Sequence, residues 1–413
     1  MKNVLLISFD LIREGEPEKS LSTASLLAFL KNDERYGSEF FVHLMPINLL
    51  KFGNNAGEIG TFLSIFDLER FDTVAISCHI WSEHLINPLT AKLREMGFRN
   101  KIVLGGPQIS YSDHVFEEYP DCQIFISGYA EQALLDAILY SEPTDKPLVF
   151  KNNADLNAVP SVYKMGEIPV MDGQKMVRQE TKRGCPYHCS FCAHRDLNGN
   201  KVHAYPKARI YEELSIFKAG SVQKINILDP VFNAGPDYLE ILREIMRIDL
   251  SSEVSLQTRF EAIRGDEGEA FLNLCAEMNV HLEFGVQTIM KDEYKAIRRP
   301  NNVRMIKSLM GELNDRDISY EISLIYGLPN QTLDSFRRSV DFVRGNGCDN
   351  VTAYPLMLLK GTELYAEKEQ WGFKEKRMGR FGIPIVVGSH SFGEDEWFEM
   401  KRLAEALNPN ARI

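Results

Sequence analysis

Short, wholly apolar runs recur along the first third of the chain, separated by longer stretches whose apolar residues repeat at helical spacing. Residues 3–9, Asn-Val-Leu-Leu-Ile-Ser-Phe, read as a strand buried on both faces. Residues 21–30 follow as a helix that starts near Ser22 or Thr23. Strand-like runs return at 40–44, 73–77, 102–104 and 123–126, with helical patterns at 86–96 and 130–140. Strands that alternate with helices predict a parallel sheet. Ser77, the pair Gly105-Gly106 and Gly128 fall at or directly after strands, where an open α/β sheet presents its ligand crevice. The first domain is expected to span residues 1–145.

Residues 146–175 carry Pro147, Pro160 and Pro169 with little periodicity and read as a linker, which Pro143 introduces. A second alternation begins near Val177, with strands expected at 177–181, 224–228, 254–258, 281–286, 320–325 and 351–356. All but the last precede a helical pattern. Six such units predict an incomplete version of the eightfold α/β barrel, spanning 176–365. Residues 366–413 form a C-terminal extension whose stretch 394–407 reads as an acidic amphipathic helix.

Composition narrows the class. With 413 residues, 44% of them hydrophobic, the chain can bury more than one core. Its formal charge is −11 and no run of Lys or Arg exceeds two, which argues against a surface that tracks nucleic-acid phosphates. A small molecule or a peptide-derived substrate is expected instead. No stretch approaches the ~18 apolar residues of a membrane span, and the opening run is too short for a signal peptide. The expectation is a soluble, cytoplasmic protein. Seven cysteines, four of them without close partners, fit a reducing compartment rather than a disulfide framework.

The other three cysteines stand together. Cys185, Cys189 and Cys192 form a Cys-x3-Cys-x2-Cys loop directly after the first strand of the second alternation, at the face where such barrels place their chemistry. Three thiolates leave a metal shell open. Either a zinc ion, completed by His188 or His194, or an iron–sulfur cluster with one iron free of protein suits that spacing.

Arg183-Gly-Cys-Pro-Tyr-His-Cys-Ser-Phe-Cys192 resembles the signature of the radical SAM superfamily, with Phe191 at its aromatic position. Further matches follow in order: Leu228-Asp-Pro-Val-Phe232, Phe284-Gly-Val-Gln-Thr288 with Arg299 downstream, Ile325-Tyr-Gly-Leu-Pro-Asn-Gln-Thr332, and Gly361-Thr-Glu-Leu-Tyr365. The first 145 residues resemble the cobalamin-binding, Rossmann-like domain of one branch of that superfamily. There the matching positions are Ser77, Gly105-Gly106 and Gly128-Tyr-Ala-Glu131. The segment that supplies an axial histidine in other cobalamin proteins is absent, since the first loop reads Asp10-Leu-Ile-Arg-Glu-Gly15.

The resemblance implies a 4Fe-4S cluster on Cys185, Cys189 and Cys192 that binds and reductively cleaves S-adenosylmethionine, with an electron donor such as flavodoxin or ferredoxin. It assigns Arg299 and Arg259 to the carboxylate or polar rim of S-adenosylmethionine, Gln257 and Gln287 to its ribose or amino group, and Asp229 to its amino group. Cobalamin, where bound, would rest on Ser77, Gly105, Gly106 and Gly128. Methyl transfer to a small metabolite or peptide-derived substrate is the expected reaction. A cobalamin-independent radical SAM enzyme and a non-catalytic metal or redox sensor are the alternatives. No second cysteine cluster marks an auxiliary iron–sulfur centre. Tyr326 and Tyr354, near strand ends, are expected in the barrel mouth. Cys78, Cys122, Cys275 and Cys348 read as packing residues, and His79 and His84 as rim or packing residues of the first domain.

Overall fold

The computed structural model describes residues 1–52, 56–63, 67–142, 146–151, 153, 155–194 and 201–407. The expected linker residue Pro143 lies outside them. The chain divides into two compact units, residues 1–170 with Arg380–Gly382, and residues 171–379 with 383–413.

The first unit is a parallel sheet in the order β2-β1-β3-β4-β5-β6. Its strands are β1 (Lys2–Asp10), β2 (Phe40–Asn48), β3 (Thr73–Ser77), β4 (Lys101–Gly105), β5 (Ile124–Ile126) and β6 (Leu148–Phe150). Val4, Leu5, Ile7, Val74, Ile102 and Ile124 are fully buried, as strands covered on both faces require. Helices Leu21–Lys31 and Ala130–Leu139 pack against each other, as do Ala56–Leu63 and Glu83–Glu95. Lys2 and Lys101 close the C-terminus of Ala130–Leu139. Lys2 Nζ donates to the Leu139 carbonyl at 2.7 Å and Lys101 Nζ to the Ala137 carbonyl at 2.9 Å. Strand order reverses between β1 and β3, and there a doubly wound sheet opens a crevice at its C-terminal edge. Leu148–Phe150, inside the stretch read as linker, is the sixth strand. Three residues are too short for periodicity to reveal; pairing with β5 makes them a strand.

In the second unit, β7 (Val177–Gln179) leads to a two-residue antiparallel pair, β8 (Lys182–Arg183) and β9 (His203–Ala204), which closes the base of the cysteine loop. Then come β10 (Lys224–Ile227), β11 (Glu253–Thr258), β12 (Val280–Gln287), β13 (Ser319–Tyr326) and β14 (Val351–Pro355). These five pair in parallel with β7 in the order β14-β13-β12-β11-β10-β7, as expected for a partial barrel. β15 (Lys374–Met378) and β16 (Ile383–Gly388) form a hairpin, and helix Glu394–Leu407 buries Trp397.

The two faces of this sheet differ in chemistry. Ile225, Ile227, Val254, Leu256, Leu282, Phe284, Ile322 and Leu324 are buried on the helix side. The other face carries Ser255, Gln257, His281, Glu283, Gly285, Glu321 and Ser323 at the alternate positions. A closed eight-stranded barrel fills its interior with branched apolar side chains. Six strands leave room, and this interior is lined with polar groups.

Candidate functional site

The cysteine loop is fastened at both flanks. Ser190 N donates to the Ile297 carbonyl at 3.0 Å, and Leu364 N donates to the Ser190 carbonyl at the same distance. Below it, Lys182 is 3% exposed, and its ammonium donates to the carbonyls of Phe232 at 2.6 Å and Ala234 at 2.7 Å. Asp229 is fully buried. It accepts from Thr181 N at 2.8 Å, Lys182 N at 3.2 Å and the Thr181 hydroxyl, and lies 3.9 Å from Lys182 Nζ. Burial pushes its carboxyl up to about 6, against the pull of Lys182. These bonds join the end of β7 to the segment after β10, and so set where the cysteine loop begins.

Cys185, Cys189 and Cys192 line one wall of a cavity of about 320 Å³ at the C-terminal mouth of the barrel. Facing them are Gln257, Thr258 and Arg259 from β11 and its end, Gln287 from β12, and Arg299, with Phe191, Pro230, Val231 and Tyr354 around the rim. Glu283, Gly285, Glu321 and Ser323 line it further down the strands. Two arginines reach the sulfurs: Arg299 Nη1 is 3.6 Å and Arg259 Nη1 4.0 Å from Cys189 Sγ. Arg299 is 8% exposed, its Nη2 donates to the Gly285 carbonyl, and its Nε has no partner. A buried donor without an acceptor costs about 1–3 kcal/mol, which marks a place where an anionic or polar ligand group would be welcome.

Local backbone accounts for several of these positions. Gln287 has φ +68°, unusual for a residue with a side chain, and follows a register shift between Gly285 and Gln287 that re-aims the end of β12. Asn233 holds the main chain of Arg259 from both sides, accepting from its N at 3.0 Å and donating to its carbonyl at 2.9 Å. The Arg259 guanidinium stacks 3.7 Å from the Tyr187 ring centroid and pairs with Glu261 at 3.2 Å.

Burial raises the Cys185 thiol above its ordinary range and pushes the Cys192 thiol up to about 11. Unligated, these groups hold their protons; binding iron or zinc would displace them. Among the described residues no three His, Cys, Asp or Glu side chains converge as a single-ion site needs.

Two expectations are corrected. Asp229 is absent from the cavity lining, because its acceptors are spent on Thr181 and Lys182. Tyr326 is 3% exposed and packs against Phe336 and Trp397 on the helix side, since its position along β13 has the parity of the buried residues. Tyr354 does line the cavity. Glu283, Glu321, Ser323 and Tyr187 escaped sequence analysis. For the first three the signal was there: His281-Leu-Glu-Phe-Gly285 and Ser319-Tyr-Glu-Ile-Ser323 alternate polar and apolar, unlike a strand buried on both faces.

In the first unit, Ser77, Gly105, Gly106 and Gly128 stand at or just past the ends of β3, β4 and β5. Ser77 Oγ accepts from Phe9 N at 3.2 Å across the β1/β3 crevice. Gly106 has φ +109°, and a side chain there would come within 2.5 Å of the Cys78 carbonyl, so internal packing alone demands glycine. Beside the crevice, His79 stacks on Trp81 with ring centroids 4.5 Å apart, and Trp81 Nε1 donates to the Phe9 carbonyl at 2.9 Å. Burial lowers the His79 imidazole to about 4. Among the described residues no helix is long and apolar enough to cross a membrane.

Residues 180–343 match the model of the radical SAM superfamily. The cobalamin-dependent radical SAM methyltransferase TokK of Streptomyces tokunonensis is 25% identical over 385 residues, 81% of this chain and 56% of that protein. The 2-(S-pantetheinyl)-carbapenam-3-carboxylate methyltransferase of Streptantibioticus cattleyicolor is 22% identical over 386 residues, with the same two coverages. The chain thus spans little more than half the length of these relatives. Among solved structures, the radical S-adenosylmethionine methyltransferase TsrM from Kitasatospora setae, with tryptophan and aza-SAM bound, superposes with a TM-score of 0.72 at 14% identity. That match covers 100% of this chain and 90% of TsrM, and it shows a shared fold.

Proposed function

We propose that this chain, which belongs to the radical SAM superfamily, is a cobalamin-dependent methyltransferase acting on a small metabolite or peptide-derived substrate. The observation that carries this is the cavity in which Cys185, Cys189 and Cys192 stand with Arg299, Gln287 and Gln257. When bound, a 4Fe-4S cluster supplies the electron that splits a sulfur–carbon bond of S-adenosylmethionine, and cobalamin carries its methyl group.

The residues divide the remaining work. Cys185, Cys189 and Cys192 would hold three irons. Arg299, its Nε free and buried, would take the methionine carboxylate in a charge-assisted pair, and Arg259 would complete the positive rim. Gln257 and Gln287, able both to donate and to accept, suit hydroxyl and amino groups. Phe191 and Val231 close the cavity with apolar surface and keep water from the reacting centre. Ser77, Gly105, Gly106 and Gly128, at or just past the ends of β3, β4 and β5, are where cobalamin would rest. The relative of known cobalamin dependence and the shared fold support that second site. A one-electron donor of the flavodoxin or ferredoxin kind is required to charge the cluster.

The test is anaerobic purification with cluster reconstitution, followed by measurement of cobalamin content and of S-adenosylmethionine turnover. Bound cobalamin together with 5′-deoxyadenosine or S-adenosylhomocysteine is expected, and Cys189→Ala should abolish turnover. Turnover without cobalamin would replace this reading with a cobalamin-independent enzyme. No turnover with an intact cluster would leave a metal or redox sensor.

A further inference from the structure

One side-chain amide outside the cavity holds the main chain on both sides of Gln287. Asn301 Nδ2 donates to the Val286 carbonyl and to the Thr288 carbonyl, both at 2.7 Å. Between those carbonyls Gln287 has φ +68°, and Thr288 N donates to the Val286 carbonyl at 2.9 Å. A bond between residues two apart around a positive φ is the rare, strained form of the γ-turn. Such a conformation persists only where the surrounding structure holds it.

Held in this turn, Gln287 places its amide over Gly285. A side chain added at Gly285 would collide with Gln287 Nε2 and come within 3.7 Å of Arg299 Nη2, so amide and guanidinium share the space over that glycine. Both residues line the cavity, whereas Asn301, 8% exposed, is absent from its lining.

The clamp belongs to the segment that follows β12. Thr288 leads into helix Lys291–Ala296, after which Arg299 and then Asn301 return to the strand end. Arg299 Nη2 donates to the Gly285 carbonyl, so residues 285, 286 and 288 all give their carbonyls to the returning segment. Thr288 is fixed a second time. Its hydroxyl donates to Glu293 Oε2 at 2.6 Å, and Glu293, 2% exposed, also accepts from Gln331 Nε2 at 3.4 Å. The strand end is therefore anchored without Asn301, which adds the two bonds across the turn.

We propose that Asn301 is a positioning residue for S-adenosylmethionine: its two bonds keep Gln287 in the left-handed turn, and the turn presents the Gln287 amide to that ligand beside Arg299. The proposal rests on the reading of the cavity as the S-adenosylmethionine site and extends it to a residue outside the cavity. An uncharged NH2 group suits the place, because both its hydrogens are donors and two carbonyls would repel an acceptor.

The test is a double-mutant cycle on S-adenosylmethionine affinity, measured by equilibrium dialysis with cluster-reconstituted protein. Asn301→Ala and Gln287→Ala should each weaken binding by about fivefold, the effect of one lost hydrogen bond. The double variant should bind within about twofold of Gln287→Ala, because without the amide there is nothing left to aim. Cluster absorbance and far-UV circular dichroism identify folded protein. If Asn301→Ala does not hold its cluster, Asn301→Asp runs the same cycle, since it keeps the size but puts an oxygen where the donor stood. Losses that multiply to about twenty-fivefold in the double variant would assign Asn301 to general scaffolding and overturn the proposal. Unchanged affinity in the Asn301 variant would do the same. A wild-type protein that binds no S-adenosylmethionine removes the reading of the cavity and the proposal together. Coupling in a protein that transfers no methyl group upholds the proposal and sinks the methyltransferase reading alone.

Discussion

The guanidinium of Arg259 lies 3.7 Å from the centroid of the Tyr187 ring, and both residues border the cavity that the cysteines line. Tyr187 comes from the cysteine loop and Arg259 from the end of β11, so this stack ties the cluster loop to the barrel wall. A desolvated cation–π contact contributes about 2 kcal/mol. Tyr187→Phe should therefore keep affinity for S-adenosylmethionine within about threefold, whereas Tyr187→Leu should weaken it by about tenfold. Equilibrium dialysis with reconstituted protein measures both, and equal losses in the two variants would assign the effect to the hydroxyl.

Arg299 is the residue with the most to gain from a bound carboxylate, since its buried Nε has no partner. Arg299→Lys keeps the charge but loses the planar fork, and Arg299→Met loses both. The expected losses in S-adenosylmethionine affinity are about tenfold and about a hundredfold, from roughly 1.5–3 kcal/mol per charge-assisted bond. The perturbation of the reduced cluster's EPR spectrum on adding S-adenosylmethionine should fade in the same order.

Asp229 acts through the fold. Its removal leaves the Lys182 ammonium buried with only carbonyl partners, and breaking a buried pair costs about 3–5 kcal/mol. Asp229→Ala should lower the urea midpoint of unfolding followed by far-UV circular dichroism. The double variant Asp229→Ala/Lys182→Met should recover part of that loss. An unchanged midpoint in Asp229→Ala would show that the buried network does not hold the end of β7.

His79 supplies a pH-dependent test in the first unit. Its imidazole titrates near 4 when folded, below the ordinary value near 6.5, so the unfolded chain binds more protons between those limits. Its contribution to stability is complete above about 6.5 and is lost as pH falls through about 4. The thermal midpoint should drop between pH 7 and pH 4.5 by more in the wild-type chain than in His79→Phe. Because the ring stacks on Trp81, tryptophan emission should also titrate with a midpoint far below 6.5 and lose that transition in the variant.

The pattern of apolar residues by itself determined two parallel sheets and the order of their strands along the chain, because short apolar strands alternating with helical stretches can pair only in parallel, whether a strand is covered on both faces, as in the first sheet, or on one, as in β12 and β13. The spacing of Cys185, Cys189 and Cys192 likewise announced a ligand loop, since three thiols so close in sequence cannot be far apart in space. Tertiary structure decided what faces that loop. Tyr326 and Tyr354 both sit near strand ends, yet strand parity sends one to the helices and the other to the cavity. Asp229 follows β10 as expected, but Thr181 and Lys182, just past the end of β7, claim its carboxylate. Glu283 and Glu321 are 38 positions apart along the chain and meet only through the register of β12 with β13. Local chemistry was legible because it is carried by neighbours in sequence; the acid pair was not, because pairing across a ladder is fixed only when the strands assemble.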